Sequence, residues 1–376
     1  MRAGRTGNQK YSRTVMAHRI ELWGPPLAPL TGGNLYDRIL VETLRRRGHE
    51  VTVREFAGDR SETPAASAPA DVILQDGLLH REFLRRNAGW RGRRPRIVAL
   101  VHHPQSSEPE RGEAELARLR GEERAYLRTV DAVLSPSRAS VDAARRLAGR
   151  RLPAAVVPPG RDRLAGAALP PLPGPEEIRA RARGPLQIAH VGNVIPRKRL
   201  LELLEALATV PEWTLAVAGR EDPDPAYAGA ARRRAAAPDL ASRVRFRGPL
   251  GPAALAGLLR DSALLAVPST HEGFGIVYLE GFAFGLPALA AASGGAAEVV
   301  SDGETGWSIR EADSGSASRR IASRLEALAA DRGRLAAMGL RAAERHRSHP
   351  TWAASAAAFE DLFTLPEASG RRRGDQ

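Results

Sequence analysis

Two carboxylates eight positions apart, with glycines between them, are the residues of this sequence whose spacing best suits chemistry. Glu272 and Glu280 flank the run Gly273-Phe274-Gly275, which follows a predicted strand at residues 264–267. If a helix begins near Gly275, Glu280 lies about 7 Å along it, while Glu272 stays in the preceding loop. Glycines allow close backbone approach, and a helix N-terminus attracts anions. The segment therefore predicts a diphosphate site in which the two carboxylates contact different parts of one ligand.

A cluster of cations follows another predicted strand, at residues 187–191. The turn after it contains Asn193, Arg197 and Lys198. The chain has 56 lysines and arginines, of which only Lys10 and Lys198 are lysines. A lysine kept in such a background indicates that a compact ammonium is needed there, as a diphosphate would require. The alternative is an ordinary solvated basic turn.

Two further features follow strands in the N-terminal part. Gly32 and Gly33 open a predicted helix, either as phosphate contacts or as an ordinary helix start. His102 and His103 end a strand that faces the predicted cleft, either as ligand contacts, with His103 favoured over His102, or as a polar cap. No second histidine or carboxylate lies at ligand spacing, so no metal site is expected.

The elements that must position these residues alternate between short apolar runs and amphipathic segments. Predicted strands near 20–23, 50–54, 72–75, 97–101, 132–134 and 154–157 are followed by a second series near 187–191, 215–218, 244–246, 264–267 and 288–290. Helical patterns lie between them. This alternation predicts an α/β protein with two parallel, doubly wound sheets, whose ligands lie beyond the carboxyl ends of the strands.

Proline and glycine mark the division between the two series. We predict a first domain at residues 16–165, a linker at 166–184 and a second domain at 185–348. A short amphipathic helix at 351–365 follows the second domain. Residues 1–15 and 367–376 are predicted to be disordered tails.

Composition excludes several classes of protein. The chain has 376 residues, long enough for two full cores, and no cysteine, which excludes disulfides, thiolate metal sites and cysteine nucleophiles. No stretch reads as a secretory signal or a spanning helix. The formal net charge of +13 attracts polyanions without selecting one. The basic, aromatic segment Arg81–Arg96 suits an anionic membrane surface or, equally, a plain solvated face.

Two motifs after the carboxylate pair make a resemblance specific. Ser293-Gly294-Gly295-Ala296-Ala297-Glu298 and Asp302-Gly303-Glu304-Thr305-Gly306, together with the Glu-x7-Glu spacing, resemble the retaining glycosyltransferases of family 4 (glycosyl transferase group 1). The resemblance implies a GT-B fold, in which two Rossmann-like domains face each other across a cleft, and a helix that crosses back to the first domain. It also implies transfer of a sugar from a nucleoside-diphosphate sugar to a hydroxyl acceptor, with retention of configuration.

The resemblance also assigns roles to residues. It implies catalytic roles for Glu272, His103 and Lys198, and ribose binding by Glu280. The donor-binding residues that it implies are Gly32, Gly33, Asn193, Arg197, Lys198, Gly273, Phe274, Gly275 and Glu280. Asn193 stands where the family usually has arginine, and Arg199 where glycine is common. The nucleotide sugar is a co-substrate, and no metal or other cofactor is expected.

Other functions remain open on the sequence alone. A GT-B phosphorylase, an epimerase or a non-catalytic nucleotide-sugar-binding relative would use the same diphosphate pocket. A nucleic-acid binder rests only on net charge and is not expected. The partners expected are a nucleotide sugar and an unidentified acceptor, in the cytoplasm, with contact at the inner membrane face through Arg81–Arg96 as a further expectation.

Overall fold

The computed structural model describes residues 17–28, 31–56, 70–90, 95–164, 169, 171–310 and 315–364. The predicted tails, 1–15 and 367–376, lie outside the described residues. So do parts of the predicted linker and residues 91–94 of the basic segment.

Twelve described strands form two sheets of six, and all their pairings are parallel. The first sheet has the order β2-β1-β3-β4-β5-β6 and contains β1 (Arg19–Gly24), β2 (Glu50–Glu55), β3 (Val72–Asp76), β4 (Arg96–Leu100), β5 (Ala132–Ser135) and β6 (Ala154–Val156). The second has the order β12-β11-β10-β7-β8-β9 and contains β7 (Leu186–Val191), β8 (Trp213–Ala218), β9 (Val244–Gly248), β10 (Leu264–Val267), β11 (Ala288–Ala291) and β12 (Gly306–Ile309).

Helices connect the strands and cover the sheets. In the first series they are α1 (Gly32–Arg46), α2 (His80–Gly89), α3 (Glu113–Leu127) and α4 (Arg138–Ala148). The remaining ones are α5 (Pro175–Arg183), α6 (Leu200–Ala208), α7 (Pro225–Ala235), α8 (Pro252–Asp261), α9 (Ile276–Ala283), α10 (Ala296–Val299), α11 (Ala317–Ala330), α12 (Arg332–Ser348) and α13 (Trp352–Thr364). No helix within the described ranges is long and apolar enough to cross a membrane.

Short apolar runs form the strands because both faces of each sheet are covered by helices. The central strands β4, β5, β10 and β11 are almost entirely buried. The edge strand β9 alternates between exposed and half-buried residues instead. The predicted α/β fold with two doubly wound sheets is therefore what the structure has.

Strand order decides where a ligand can bind. In the first sheet β1 lies between β2 and β3, and in the second β7 lies between β8 and β10, so the chain reverses its direction of winding beside β1 and beside β7. A crevice opens beyond the carboxyl ends of the strands at such a point. The glycines of α1 follow β1, the lysine turn follows β7, and the loop with Glu272 follows β10.

Two helices lie outside the simple alternation. Helix α13 packs on α1 and β6, and its Trp352 and Phe359 belong to the core of the first sheet. Helix α5 falls within the range predicted as linker, with Ile178 and Ala182 buried, and it packs on α12. Below, the first half means β1–β6 with their helices and α13, and the second half means β7–β12 with α5–α12.

Candidate active site

The cationic turn and the first carboxylate of the spaced pair meet at the switch point of the second sheet. Lys198 ends the short helical turn after β7, and its Nζ lies 2.5 Å from Oε1 of Glu272. The Ser269 hydroxyl donates to the same oxygen at 2.6 Å. Nη1 of Arg197 lies 3.6 Å from Oε2 of Glu272. The carboxylate is thus held between two cations, although Glu272 is only 7% exposed.

Burial and charge act in opposite directions on this pair. Burial raises the pKa of the Glu272 carboxyl, but the charges of Lys198 and Arg197 outweigh it and bring the pKa down to about 2. Burial lowers the pKa of the Lys198 ammonium, and the charge of Glu272 compensates only in part. A phosphate that replaced Glu272 at Nζ would supply the negative charge that this buried ammonium needs.

The turn also bears on the two departures from the family pattern. Arg199 has φ +52°, and no other non-glycine residue among those described has a positive φ. Glycine adopts this left-handed conformation without steric cost, which accounts for glycine at this position in the pattern. Arg197 donates from Nη1 to the His271 carbonyl at 2.7 Å, so it runs along the loop that carries Glu272. Arg197 therefore supplies a cation beside the half-buried, uncharged Asn193.

The two glycines between the carboxylates are required for different geometric reasons. Gly275 has φ +85° and caps α9, which begins at Ile276 as expected from the sequence. A Cβ on Gly273 would lie 2.4 Å from the His102 carbonyl oxygen. The second half thus touches the first at a place where no side chain fits. Phe274 points elsewhere: it is buried in the second core, with its ring 5.9 Å from that of His349.

The second carboxylate, Glu280, lies on α9 and is also buried. Its Oε1 accepts a hydrogen bond from Nε of Arg163, in the helical turn Arg161–Leu164 that follows β6. Burial raises the pKa of Glu280, and the Arg163 charge offsets that rise in part. Glu280 is therefore paired with Arg163, which lies in the chain segment that leaves the first half.

On the first-half side, the glycine loop and one of the two histidines meet. Gly32 and Gly33 open α1, whose Thr31 cap accepts from the Asn34 backbone N–H at 3.1 Å. A Cβ on Gly33 would lie 3.4 Å from the His102 ring, so this loop rests against His102. His103, the histidine favoured from sequence, faces the loop that carries Glu272: its ring is 5.3 Å from that of His271, and its Nδ1 would lie 3.2 Å from a Cβ on Gly273. Its Nε2 is 3.0 Å from Oε1 of Glu108.

His102 belongs to a buried group that the sequence did not predict. Its Nε2 lies 3.0 Å from Oδ1 of Asp37 on α1, and Asp76 at the end of β3 completes the group. One donor atom from each of the three lies within 4.8 Å of the others, so they could hold a cation. The expectation that no carboxylate accompanies the histidine pair was therefore wrong, because Asp37 and Asp76 come from two other elements.

Charge in this group favours a protonated imidazole. Burial lowers the pKa of His102, but the Asp37 charge outweighs burial and raises the pKa to about 9. Burial raises the pKa of Asp76 to about 6, with a further increase from Asp37. An imidazolium between two carboxylates neutralises part of their charge without a metal.

Polar contacts also join the halves around this site. Glu298 of α10 accepts backbone N–H groups of Arg138, at 3.1 Å, and of Ala139, at 2.8 Å, and so caps α4 across the interface. The Thr270 hydroxyl donates to Glu110. Nε of Arg197 lies 3.8 Å from Glu108. The signal for the Glu298 contact was present in the Gly-Gly-x-x-Glu motif, but its geometric role depends on a helix some 160 positions earlier.

The basic segment after β3 is less exposed than its sequence indicates. Phe83 is fully buried in the first half's core, and Trp90 packs against Trp23 with ring centroids 6.5 Å apart. Arg86 donates to Glu82 at 2.8 Å and lies over the Phe56 ring. Of the aromatic residues in Arg81–Arg96, Phe83 is therefore not available to a membrane.

Both a family model and individual relatives match part of the chain. Residues 176–338 match the family model described as glycosyl transferases group 1. Two D-inositol 3-phosphate glycosyltransferases are among its relatives. The one from Streptomyces avermitilis is 39% identical over 134 residues, which cover 36% of this chain and 28% of the relative. The one from Streptomyces coelicolor is 33% identical over 221 residues, which cover 54% and 47%. The matched region thus spans less than half of these relatives.

Solved structures match almost the whole chain in fold. Sucrose-phosphate synthase from Thermosynechococcus elongatus superposes with a TM-score of 0.74 at 21% identity, covering 92% of this chain and 98% of that one. HepE from Anabaena, solved in complex with UDP-glucose, gives 0.73 at 20% identity, covering 93% and 100%. The chain therefore has the GT-B fold, and residues 176–338 within its second half match the group 1 glycosyl transferase model.

Proposed function

We propose that this protein transfers a sugar from a nucleoside-diphosphate sugar to a hydroxyl acceptor, with retention of configuration at the anomeric carbon. The observation that carries the proposal is the meeting of Lys198, Arg197 and Glu272 at the second switch point, opposite the imidazole of His102. The name of the relatives, glycosyltransferases, supports the same reaction type.

The main chemical task is to stabilise the negative charge that develops on the departing diphosphate. Lys198 and Arg197 supply positive charge there, and the N-terminus of α9, which begins at Ile276, adds the positive end of a helix dipole. In this role the phosphates replace Glu272 as the partner of Lys198. The freed Glu272 then faces the sugar, and Glu280 binds ribose hydroxyls after sharing or releasing Arg163.

The step balances without an added reagent. The bond between the anomeric carbon and the β-phosphate oxygen breaks, and a bond from the acceptor oxygen to the same carbon forms on the same face. The acceptor's proton passes to the departing phosphate oxygen. His103 and the imidazolium of His102 lie on the opposite wall, where they hydrogen-bond the sugar or acceptor. Contact between the halves excludes water, which would otherwise compete as an acceptor.

A hexose donor and independence from metal are the finer parts of the proposal. The fold shared with HepE, which was solved with UDP-glucose, supports a UDP-hexose as the first donor to try. Two cations and a helix N-terminus at the diphosphate support catalysis without a divalent ion. Location in the cytoplasm, with contact at the inner membrane face through Arg81–Arg96, completes the proposal.

Ligand-induced thermal stabilisation tests the donor site. A nucleotide at a hundred times its dissociation constant adds about 2.7 kcal/mol. We expect one of UDP, GDP or ADP to raise the melting temperature of the wild type. Lys198→Ala and Glu280→Ala should both abolish this rise, while Arg120→Gln, an exposed change on α3, should not. Folded protein that responds to none of the three would contradict the proposal.

Turnover separates transfer from the alternatives. A glycosyltransferase releases the nucleoside diphosphate slowly in water and faster with its acceptor. A phosphorylase requires inorganic phosphate, and an epimerase converts the nucleotide sugar without releasing nucleotide. A non-catalytic relative would bind nucleotide but retain its biological function in Glu272→Ala.

A further inference from the structure

A cavity of about 440 Å³ opens in the first half, apart from the donor residues. Its walls come from four segments: Phe56, after β2; residues 78–85, after β3; Gln105, after β4; and residues 111–119, at the start of α3. Because β3 and β4 are parallel neighbours, these segments meet at the carboxyl edge of the sheet, where His102 and His103 also lie. The volume is within the range of sites for small molecules.

The cavity combines an apolar wall with four arginine side chains, which are paired with glutamates. Phe56, Leu79 and Leu119 contribute carbon surface, together with Leu78, which is 55% exposed. The charged lining residues are four arginines, Arg81, Arg85, Arg111 and Arg118, against two glutamates, Glu82 and Glu115. A ligand that fits both surfaces has a carbon skeleton and an anionic group.

The arginines are already paired, but in a way that leaves capacity for an anion. Nε of Arg81 and Nη1 of Arg118 lie 2.8 and 3.1 Å from Glu122, and Arg85 lies 3.2 Å from Glu82. The three arginine side chains are about half exposed or more, and ion pairs at such positions contribute about 1 kcal/mol or less to stability. Each guanidinium has five N–H donors, and a phosphate accepts from several at once.

One glutamate links the cavity to the donor cations. Arg111 donates from Nε to Glu108 at 2.9 Å and from Nη1 to Glu115 at 2.6 Å. The other oxygen of Glu108 lies 3.0 Å from His103 and 3.8 Å from Arg197. A molecule seated against Arg111 is therefore separated from His103 and Arg197 by the side chain of Glu108.

We propose that this cavity binds the phosphate group of the acceptor and thereby presents the acceptor's hydroxyl to the donor sugar. The inference rests on the proposed function, since it names the chemical class of the second substrate. The phosphate is recognised and not consumed. Its carrier is either a small soluble phosphate ester or a lipid headgroup, and both offer the same chemistry to the arginines.

The test compares phosphorylated compounds with their unphosphorylated counterparts. Glucose 6-phosphate, glycerol 3-phosphate and inositol 3-phosphate are titrated into the protein by calorimetry, each beside its parent alcohol. Vesicles of phosphatidylcholine with and without phosphatidylinositol test the lipid source by flotation. The variant is Arg85→Gln with Arg118→Gln, and Arg120→Gln, on the same helix as Arg118 but outside the cavity, is the matched control.

We expect at least one phosphate ester, or the phosphatidylinositol vesicle, to bind at least tenfold more tightly than its counterpart. The double variant should lose that preference, while Arg120→Gln and Lys198→Ala should keep it. Retention in Lys198→Ala shows that the anion is outside the donor site. Binding that survives the double variant, binding lost in Lys198→Ala, or no preference for phosphate in any arm would overturn the proposal.

Nucleotide release distinguishes failure of the proposed function from failure of this inference. If the wild type releases no nucleotide from any nucleotide sugar, glycosyl transfer is refuted whatever the cavity binds. If it releases nucleotide while the cavity shows no preference for phosphate, the donor chemistry stands and this inference fails.

Discussion

Removing the ammonium of Lys198 should cost the second half a large share of its stability, because a buried carboxylate would lose its nearest cation. The pKa of Glu272 is lowered from 4.5 to about 2. At about 1.4 kcal/mol per pKa unit, this shift corresponds to about 3 kcal/mol of stabilisation of the carboxylate at neutral pH. Breaking one side of a buried ion pair costs about 3 to 5 kcal/mol. For Lys198→Met we expect about 3 kcal/mol, since Arg197 still lies 3.6 Å from Glu272.

The assay is urea denaturation at pH 7 of four proteins: wild type, Lys198→Met, Glu272→Gln and the double variant. Tryptophan fluorescence follows both halves, because Trp213 and Trp307 lie in the second half's core and Trp23 and Trp352 lie in the first half's. The double variant should be less destabilised than the sum of the single variants, since neither charge is then left alone. Additive effects, or a loss below 1 kcal/mol in Lys198→Met, would refute the view that Lys198 holds a buried Glu272.

The pH dependence gives an independent check with a fixed sign. A lowered carboxyl pKa contributes stability that is present above pH 4.5 and is lost as the pH falls toward 2. The difference in stability between wild type and Lys198→Met should therefore be full at neutral pH and shrink below pH 4.5. A difference that grows on acidification would contradict the assignment.

Three further changes test other parts of the site. Asp37→Asn removes the charge that raises the pKa of His102 to about 9. NMR titration should therefore give a pKa of His102 well below 9. The variant should also lack the loss of stability that the wild type shows as the pH rises through 9. An unchanged pKa would count against the Asp37 contact. Gly273→Ala puts a Cβ 2.4 Å from the His102 carbonyl and should reduce kcat by roughly a hundredfold with little change in melting temperature. Its control, Gly257→Ala, meets nothing within 4 Å and should keep full activity; equal activities would show that the halves need not approach this closely. Glu298→Gln weakens the cap on α4 and should cost about 1 kcal/mol and enlarge the radius of gyration in small-angle scattering, whereas an unchanged radius would mean that other contacts hold the halves together.

The fold could be predicted because its signals are local. Short apolar runs and glycine turns place the strands within a few residues, and Gly275 indicates the start of α9. Strand β12 and helix α5 were not predicted, because their local signals are weak or misleading. Strand β12 is a four-residue run at a sheet edge directly after a motif, and α5 follows so much proline that the segment reads as linker.

The site could be predicted only where a residue carries a signal in its own stretch of sequence. Lys198 and Glu272 each carry a local signal, a lone lysine and a glycine-flanked carboxylate. Arg163, by contrast, reaches Glu280 across 117 positions, and nothing around it distinguishes it from the other arginines. The pairing of His102 with Asp37 depends on which strands are neighbours, which residue spacing does not encode.

The return of α13 to the first half sets the order in which this protein can fold during synthesis. Trp352 and Phe359 complete the first half's core, yet Trp352 follows Val157, in the same core, by 195 positions. At about 5 to 20 residues per second, a ribosome needs roughly 10 to 40 s to make that interval. The whole second half emerges meanwhile, so it can close its core while the first half still exposes the surface that α13 will cover. Chaperones that hold apolar surface on nascent chains should therefore bind the N-terminal part of this protein longest, although that part is made first.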